Sequence, residues 1–305
     1  MSFDPEKTIL IMGTGAMACL FAARLSGAGV PVQMHGTWAE GLAALRASGV
    51  RLVEASGDEY AYPVTVIDKL EDCKGARNAL VLVKSWQTQR AARQLASCLD
   101  PNGVALTLQN GMGNRETLAQ ALGAKRVSLG VTTVGATLLG PGRVSPAGEG
   151  VISLSAHPLI APLINLLRSA GFVLETEPDP TALLWGKLVI NAAINPLTAL
   201  LTVTNGELLA RSHARSLLQA AVREAASVAI AQGIRLPYPD PVVATEAIAR
   251  RTAANRSSML QDVLRGAPTE IDAICGAIVQ AGEHTGVPTP IIRTLWQLVK
   301  SLYSK

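Results

Sequence analysis

The stretch Thr8-Ile9-Leu10-Ile11-Met12-Gly13-Thr14-Gly15-Ala16-Met17-Ala18 sets a short apolar run directly before a glycine turn, and a helical pattern begins inside that turn. Its form, G-x-G-x-x-A between a strand and a helix, is the context that a dinucleotide-binding fingerprint requires. Gly13 permits the tight turn and Gly15 lets backbone approach a pyrophosphate. Ala18, in the place of the third glycine, keeps the helix close to the sheet. The helix N-terminus offers unpaired N–H groups and a positive dipole to phosphate. Gly13, Thr14, Gly15, Ala16 and Met17 are therefore the candidate cofactor-binding residues of the turn.

Working outward, the first half of the chain alternates β-branched runs with helical patterns. Strands are predicted at Thr8–Met12, Pro31–His35, Ala79–Val83, Val104–Leu108 and Arg126–Gly130, with helices at Ala16–Ser26, Gln87–Cys98 and Asn114–Leu122. Continuous apolar strands separated by helices indicate a parallel sheet covered on both faces. A Gly- and Pro-rich section follows, in which Val131–Leu138 and Val151–Ser155 read as added strands. Beyond Pro178 and Pro180 the periodicity turns helical, at Thr181–Leu201, Ser212–Gln232, Pro241–Ala254, Thr269–Thr285 and Pro290–Leu302. The expected organisation is an α/β Rossmann-type domain over 1–177, a parallel sheet with added strands, followed by an all-α domain over 178–305.

Composition narrows the function classes. With 27 basic and 23 acidic residues, scattered rather than in runs, a nucleic-acid surface gains no support. Asp4 and Glu6 ahead of the first strand are wrong for a signal peptide. Cys19, Cys73, Cys98 and Cys275 form no C-x-x-C pair, so the reading is reduced thiols in a cytoplasmic protein with no metal site. Thr181–Val203 is apolar enough to raise a membrane span, but it holds Lys187, Asn191, Asn195 and Pro196. A buried helix of a soluble protein, in a core or a homodimer interface, fits it better.

Three further places carry chemistry. At the end of the second strand, Gln33-Met34-His35-Gly36-Thr37-Trp38-Ala39-Glu40 has neither the acid expected for NAD nor the arginine often found for NADP. The missing acid removes a repulsion against a 2′-phosphate, to which Thr37 and His35 are candidate donors, and Trp38 is a candidate platform for adenine. NADPH is favoured on this reading and NAD is not excluded. Lys84 follows the strand Ala79–Val83, and Asn110-Gly111 follows Val104–Leu108, so both lie where doubly wound sheets bind ligands. In the helical half, Lys187, Asn191 and Asn195 are spaced i, i+4, i+8 and share one face. That face serves either a buried hydrogen-bond network or a substrate pocket.

Several motifs occur together in a fixed order. They are Gly13-Thr14-Gly15-Ala16-Met17, Leu82-Val83-Lys84-Ser85-Trp86-Gln87 and Gln109-Asn110-Gly111-Met112-Gly113, then Leu184-Trp185-Gly186-Lys187-Leu188-Val189-Ile190-Asn191 and Ile194-Asn195-Pro196-Leu197-Thr198-Ala199. Asn205-Gly206-Glu207-Leu208, Ser257-Ser258-Met259-Leu260-Gln261-Asp262 and Thr269-Glu270-Ile271-Asp272 complete the set. In these the chain resembles the ketopantoate reductases (2-dehydropantoate 2-reductases) over nearly its whole length. The resemblance implies a C-terminal domain like that of 6-phosphogluconate dehydrogenase, and NADPH-dependent reduction of a 2-oxo acid to its 2-hydroxy acid. It assigns Lys187 as the general acid at the carbonyl and Glu270 as its acidic partner. Asn191, Asn195 and Ser258 are assigned to the substrate carboxylate and hydroxyl, with Asn205 and Asn255 also on family positions. Lys84 and Asn110 are implied to bridge cofactor and substrate. Thr37 departs from the pattern, since the family commonly has arginine there to meet the NADPH phosphate.

Overall fold

The structure, a computed structural model, describes residues 4–302. It divides into two compact units, Met1–Gln109 with Asn114–Pro180, and Asn110–Gly113 with Thr181–Lys305.

In the first unit, strands β1 (Ile9–Met12) and β2 (Val32–His35) are joined by helix α1 (Ala16–Gly27). Helix α2 (Ala39–Ser48) leads into β3 (Val50–Val53), β4 (Glu59–Tyr62), β5 (Thr65–Val66) and β6 (Ala76–Val81). Helix α3 (Thr88–Cys98), β7 (Leu99–Thr107), α4 (Asn114–Leu122) and β8 (Val127–Thr132) continue the alternation. The unit closes with β9 (Gly135–Gly140), β10 (Arg143–Gly148), β11 (Val151–Ser155), α5 (Ala161–Ser169) and β12 (Val173–Glu177).

Eight strands form one sheet in the order β12-β11-β8-β7-β6-β1-β2-β5. The six from β5 to β8 run parallel, β11 pairs antiparallel with β8, and β12 pairs parallel with β11. Alternation along β1 explains its unbroken apolar sequence. Ile9 and Ile11 pack with the α1 side chains Cys19, Leu20 and Phe21, whereas Leu10 and Met12 pack with Ala91, Ala92 and Leu95 of α3 and Leu118 of α4. Both faces are buried, so both must be apolar. A second sheet, β4-β3-β10-β9, contacts α1.

The expected strand Val131–Leu138 is divided between the two sheets, with Val131 and Thr132 ending β8 and Gly135 opening β9. The Thr132 hydroxyl accepts the Val134 N–H at 3.1 Å, a local bond that turns the backbone away from the first ladder.

The second unit contains α6 (Thr181–Leu201), α7 (Glu207–Ala210), α8 (Ser212–Ala231), α9 (Pro241–Arg251), α10 (Ser258–Leu264), α11 (Ala277–Thr285) and α12 (Pro290–Ser301). Helix α6 is long and apolar enough to cross a membrane by length and composition, and 67% of its most apolar window is buried inside the fold. Trp185, Leu188, Val189, Ala192, Ala193 and Leu197 form the centre of the helical core, against Leu218, Val222 and Ala225 of α8 and Ile292 and Val299 of α12.

Pro196 sits inside α6 without ending it. A proline has no N–H to give residue i−4, so the Ala192 carbonyl loses its helical donor. The Cys275 thiol takes that place, with Sγ 3.6 Å from Ala192 O. The helix expected over Thr269–Thr285 begins differently: Asp272–Gly276 forms a π-helical turn, and regular α-helix starts only at Ala277. Gly276 at its end packs closely against Trp296, since a Cβ there would stand 3.2 Å from the ring.

Carboxylates lock the remaining helices. Glu224 accepts the Ile291 and Ile292 N–H groups and so caps α12, and Asp240 caps α9 through Val242 and Val243. Buried Glu246 on α9 receives both Nε and Nη2 of Arg215 on α8 at 2.7 Å, together with Gln219 and Arg250. The Arg215 hydrogen bonds, with Gln219 and the Arg250 charge, hold the Glu246 carboxyl down at about 2 against the effect of its burial. Because the folded value lies below that of an unfolded chain, this stabilisation is complete above the ordinary carboxylate range. It is lost as pH falls from there toward about 2. Glu246→Ala is expected to lower unfolding free energy by ~1–3 kcal/mol at pH 7, read by urea denaturation, since the freed arginines can reach water. The difference from the unmutated protein should shrink on acidification.

Candidate active site

The carboxyl ends of the parallel strands β1, β2 and β6 lead into the segments marked in the sequence. After β1, the Gly13 N–H donates to His35 O at 2.7 Å and ties the turn to β2. Gly13 has φ +132°, and a Cβ there would lie 2.9 Å from Leu82 O, so only glycine allows β1 and β6 to end this closely together. Gly15 is the reverse case: a Cβ there would meet nothing within 4 Å. The backbone at Gly15 is thus open on the side a ligand must approach, and no side chain at that position caps α1. Ala18 is fully buried, as close helix–sheet packing demands. This turn fits the pyrophosphate of a dinucleotide, held by backbone N–H groups. Thr14 turns its side chain inward against Gly36, while Ala16 and Met17 are half-buried in the first turn of the helix.

The end of β2 differs in part from expectation. His35 is buried, and both ring nitrogens are used within the fold, Nδ1 with Ile67 O and Nε2 with the Gln94 amide, each at 2.9 Å. Neither remains to meet a phosphate, which corrects its reading as a donor. Thr37 is exposed, and its hydroxyl accepts from Gln87 Nε2 at 3.4 Å. Trp38 lays its ring over Gly41, where a Cβ would stand 2.4 Å from the ring.

Lys84, half-buried, precedes the short 3₁₀ turn Ser85–Gln87 after β6. Beneath it lies a buried polar cluster that sequence reading missed. Gln109 donates to Val83 O and to the Thr88 hydroxyl at 2.8 Å each, Thr107 donates to Gln109 Oε1 at 3.0 Å, and Thr88 donates to Asn114 Oδ1 at 2.8 Å. The cluster holds the ends of β6 and β7 in register, and the one available signal was Gln109 beside Asn110 at a strand end.

In the second unit, the segment Asn110–Gly113 docks on the start of the π-helical turn. The Met112 N–H donates to Ala273 O at 2.9 Å, and Gly111, at φ +82°, leaves a Cβ no room against Ala273. The docking brings Asn110 Nδ2 to 3.4 Å from Glu270 Oε2. Glu270 is buried, and its charge acts on Lys187. Some surface of Lys187 is open, yet its ammonium is surrounded by protein. Burial pushes it down to about 8, with the Glu270 carboxylate opposing that fall. Lys187, Glu270 and Asn110 therefore form one constellation.

Asn191 is half-buried and Asn195 buried on the same helix as Lys187. Thr198 reaches the Ser257 hydroxyl at 2.7 Å, and Ser257 in turn caps α10 by accepting the Leu260 N–H. Ser258, the next residue, opens α10 and is half-buried. Asn205 binds the loop before α10 through its N–H to Asn255 O at 3.0 Å and its amide to the Thr252 hydroxyl at 2.9 Å. Its buried Oδ1 has no hydrogen-bond partner among the described residues. Asn255 is exposed. The unit thus supplies an ammonium and several amides that can donate to a small oxygen-rich anion, with a carboxylate and a buried amide oxygen beside them.

The chain is similar to known proteins over nearly its whole length. Residues 9–158 match the family described as ketopantoate reductase PanE/ApbA, and residues 180–303 match the C-terminal part of that family. A 2-dehydropantoate 2-reductase of Archaeoglobus fulgidus is 36% identical over 306 residues, covering 98% of each chain. The crystal structure of a PanE/ApbA family ketopantoate reductase from Ralstonia eutropha superposes with a TM-score of 0.89 at 32% identity, covering 97% of this chain and 98% of that one. A D-mandelate dehydrogenase solved with NADH and anilino(oxo)acetate also gives 0.89, at 26% identity and the same coverage.

Gly13→Ala should force the turn out of its left-handed geometry at ~1–3 kcal/mol and raise the dissociation constant for reduced nicotinamide nucleotide by about tenfold or more. Fluorescence titration measures it. Unchanged affinity would show that the turn does not carry the pyrophosphate.

Proposed function

The chain belongs to the ketopantoate reductase family, and we propose that it reduces 2-dehydropantoate to pantoate, with NADPH as the favoured cofactor and Lys187 as the general acid. The observation that carries the proposal is the Lys187 ammonium, enclosed by protein and lowered to about 8 beside the Glu270 carboxylate. A proton donor works best when its pKa lies near the working pH, and an ordinary lysine at about 10.4 is too weak an acid for that.

The nucleotide, when bound, supplies the hydride to C2 of the substrate. Negative charge then develops on the carbonyl oxygen, and Lys187 Nζ donates a hydrogen bond to it and finally the proton. Glu270 keeps Lys187 protonated before the reaction, and Asn110 holds Glu270. Asn191, Asn195 and Ser258 are assigned to the substrate carboxylate and hydroxyl. Asn205 and Asn255, joined by their backbone contact, are assigned to the substrate as well. Gly13, Thr14, Gly15, Ala16 and Met17 are assigned to the pyrophosphate and Thr37 to the ribose end, with Lys84 and Asn110 serving both nucleotide and substrate.

A second reading keeps the mechanism but takes NADH and another 2-oxo acid. The likeness to a D-mandelate dehydrogenase that holds NADH favours it, as does the engagement of His35 within the fold. Steady-state rates with ketopantoate, run separately with the two nucleotides, separate the readings. The primary reading expects kcat/KM of roughly 10⁴–10⁶ M⁻¹s⁻¹, higher with NADPH. A far lower value with both nucleotides would discard the named substrate.

Lys187→Ala should cut turnover by ~10²–10⁴-fold while nucleotide titration stays unchanged. The acid must be protonated, so activity of the unmutated enzyme should fall as pH rises through about 8. Near-normal turnover of the variant would remove Lys187 from this role.

A further inference from the structure

We propose that Cys275 is a positioning residue: its thiol, bonded to the carbonyl that Pro196 leaves open on α6, fixes the π-helical turn and thereby the placement of Glu270 relative to Lys187. The inference rests on the assignment of Lys187 and Glu270 given above.

Four observations converge on this contact. Pro196 lies inside α6 and cannot donate to Ala192 O, and its ring crowds that carbonyl outward. The Cys275 Sγ stands 3.6 Å from Ala192 O, and both residues are fully buried, so no water replaces the bond. Burial also pushes the Cys275 thiol up, which keeps it an S–H donor rather than a thiolate at all working pH values. Cys275 is part of the π-helical turn Asp272–Gly276, which begins two residues after Glu270, and a π turn inside a helix is an expensive irregularity that recurs at functional sites.

The contact joins the two elements that carry the acid and its partner. Ala192 follows Asn191 directly, one turn along the helix from Lys187. On the other element, the Ile274 N–H donates to Glu270 O at 3.1 Å, so the turn that holds Cys275 is bonded to the Glu270 backbone itself. Ala273, inside the same turn, receives the Met112 N–H that seats Asn110 on Glu270. A regular α-helix through this stretch would rotate Glu270 relative to the residues after the turn, and so change its placement against α6. The thiol donor, short and weakly polar, suits a contact where the surroundings are apolar.

The test uses the full chain with ¹³Cε-labelled lysine, in Cys275→Ala and Cys275→Ser, with Lys187→Ala to assign the resonance. Glu270 is the charged group whose field raises the Lys187 value. If Glu270 moves away in Cys275→Ala, the Lys187 titration should shift to lower pH and kcat should fall by ~10–100-fold, with nucleotide affinity unchanged. Cys275→Ser keeps a donor and should restore both. A loss of packing alone would lower thermal stability without moving the titration. An unshifted Lys187 titration in Cys275→Ala, or a shift equally large in Cys275→Ser, overturns the proposal. Should Cys275→Ala fail to fold, Cys275→Val, which nearly keeps the volume and lacks the donor, gives the same comparison with Cys275→Ser. An active Lys187→Ala enzyme would instead discard the assignment of the acid, while the titration shift still decides the role of Cys275.

Discussion

Enclosing the Lys187 ammonium among the helices costs free energy, and the Glu270 carboxylate offsets part of it. Most of the second unit can be understood from this one pair. Helix α6 has to be apolar enough to anchor Trp185, Leu188 and Val189 in the core, yet it carries an amine and two amides along another face. Glu270 has to arrive from a distant part of the chain without a flexible approach. The π-helical turn, the Pro196 interruption and the docked Asn110 segment each remove a degree of freedom at that meeting.

The first unit works by a different principle, since the groups proposed for its ligand are mainly backbone. Gly13 is confined by Leu82 and Gly15 is left open, and the two glycines, two residues apart, do opposite things. Side chains contribute by holding the strand ends still. The Thr107–Gln109–Thr88–Asn114 cluster and the two bonds of His35 spend polar groups on rigidity at the edge where Lys84 and Thr37 emerge. Buried polar groups that are fully matched specify one arrangement.

Reading residues in order recovered the elements whose pattern is long or strongly periodic. Helix α6 was bounded correctly at Thr181 and Leu201, and β1, α1 and α4 within a residue or so, because burial on one or two faces leaves a regular apolar signature. Of the second sheet only β9 was legible, as the later part of Val131–Leu138. Strands β3 and β4 have four residues each, every residue of β4 keeps part of its surface in water, and β10 buries only Val144 and carries register shifts against β9, so no clear alternation registers. The π-helical turn was invisible for a deeper reason, since Thr269–Thr285 has a helical apolar period whether the hydrogen bonds run i+4 or i+5.

Local order along the chain was enough for the glycine turn and for the shared face of Lys187, Asn191 and Asn195, because both are set by residues a few positions apart and by the helical period. The resemblance carried by the motifs added Glu270. What linear order could not supply were encounters between residues far apart: Asn110 with Glu270, Cys275 with Ala192, and His35 with Ile67 and Gln94. Such contacts depend on which donors remain unmatched after the helices and sheets have formed. That is a property of packing in three dimensions, and it decided that His35 serves the fold and that the Lys187 ammonium lies close to neutral pH.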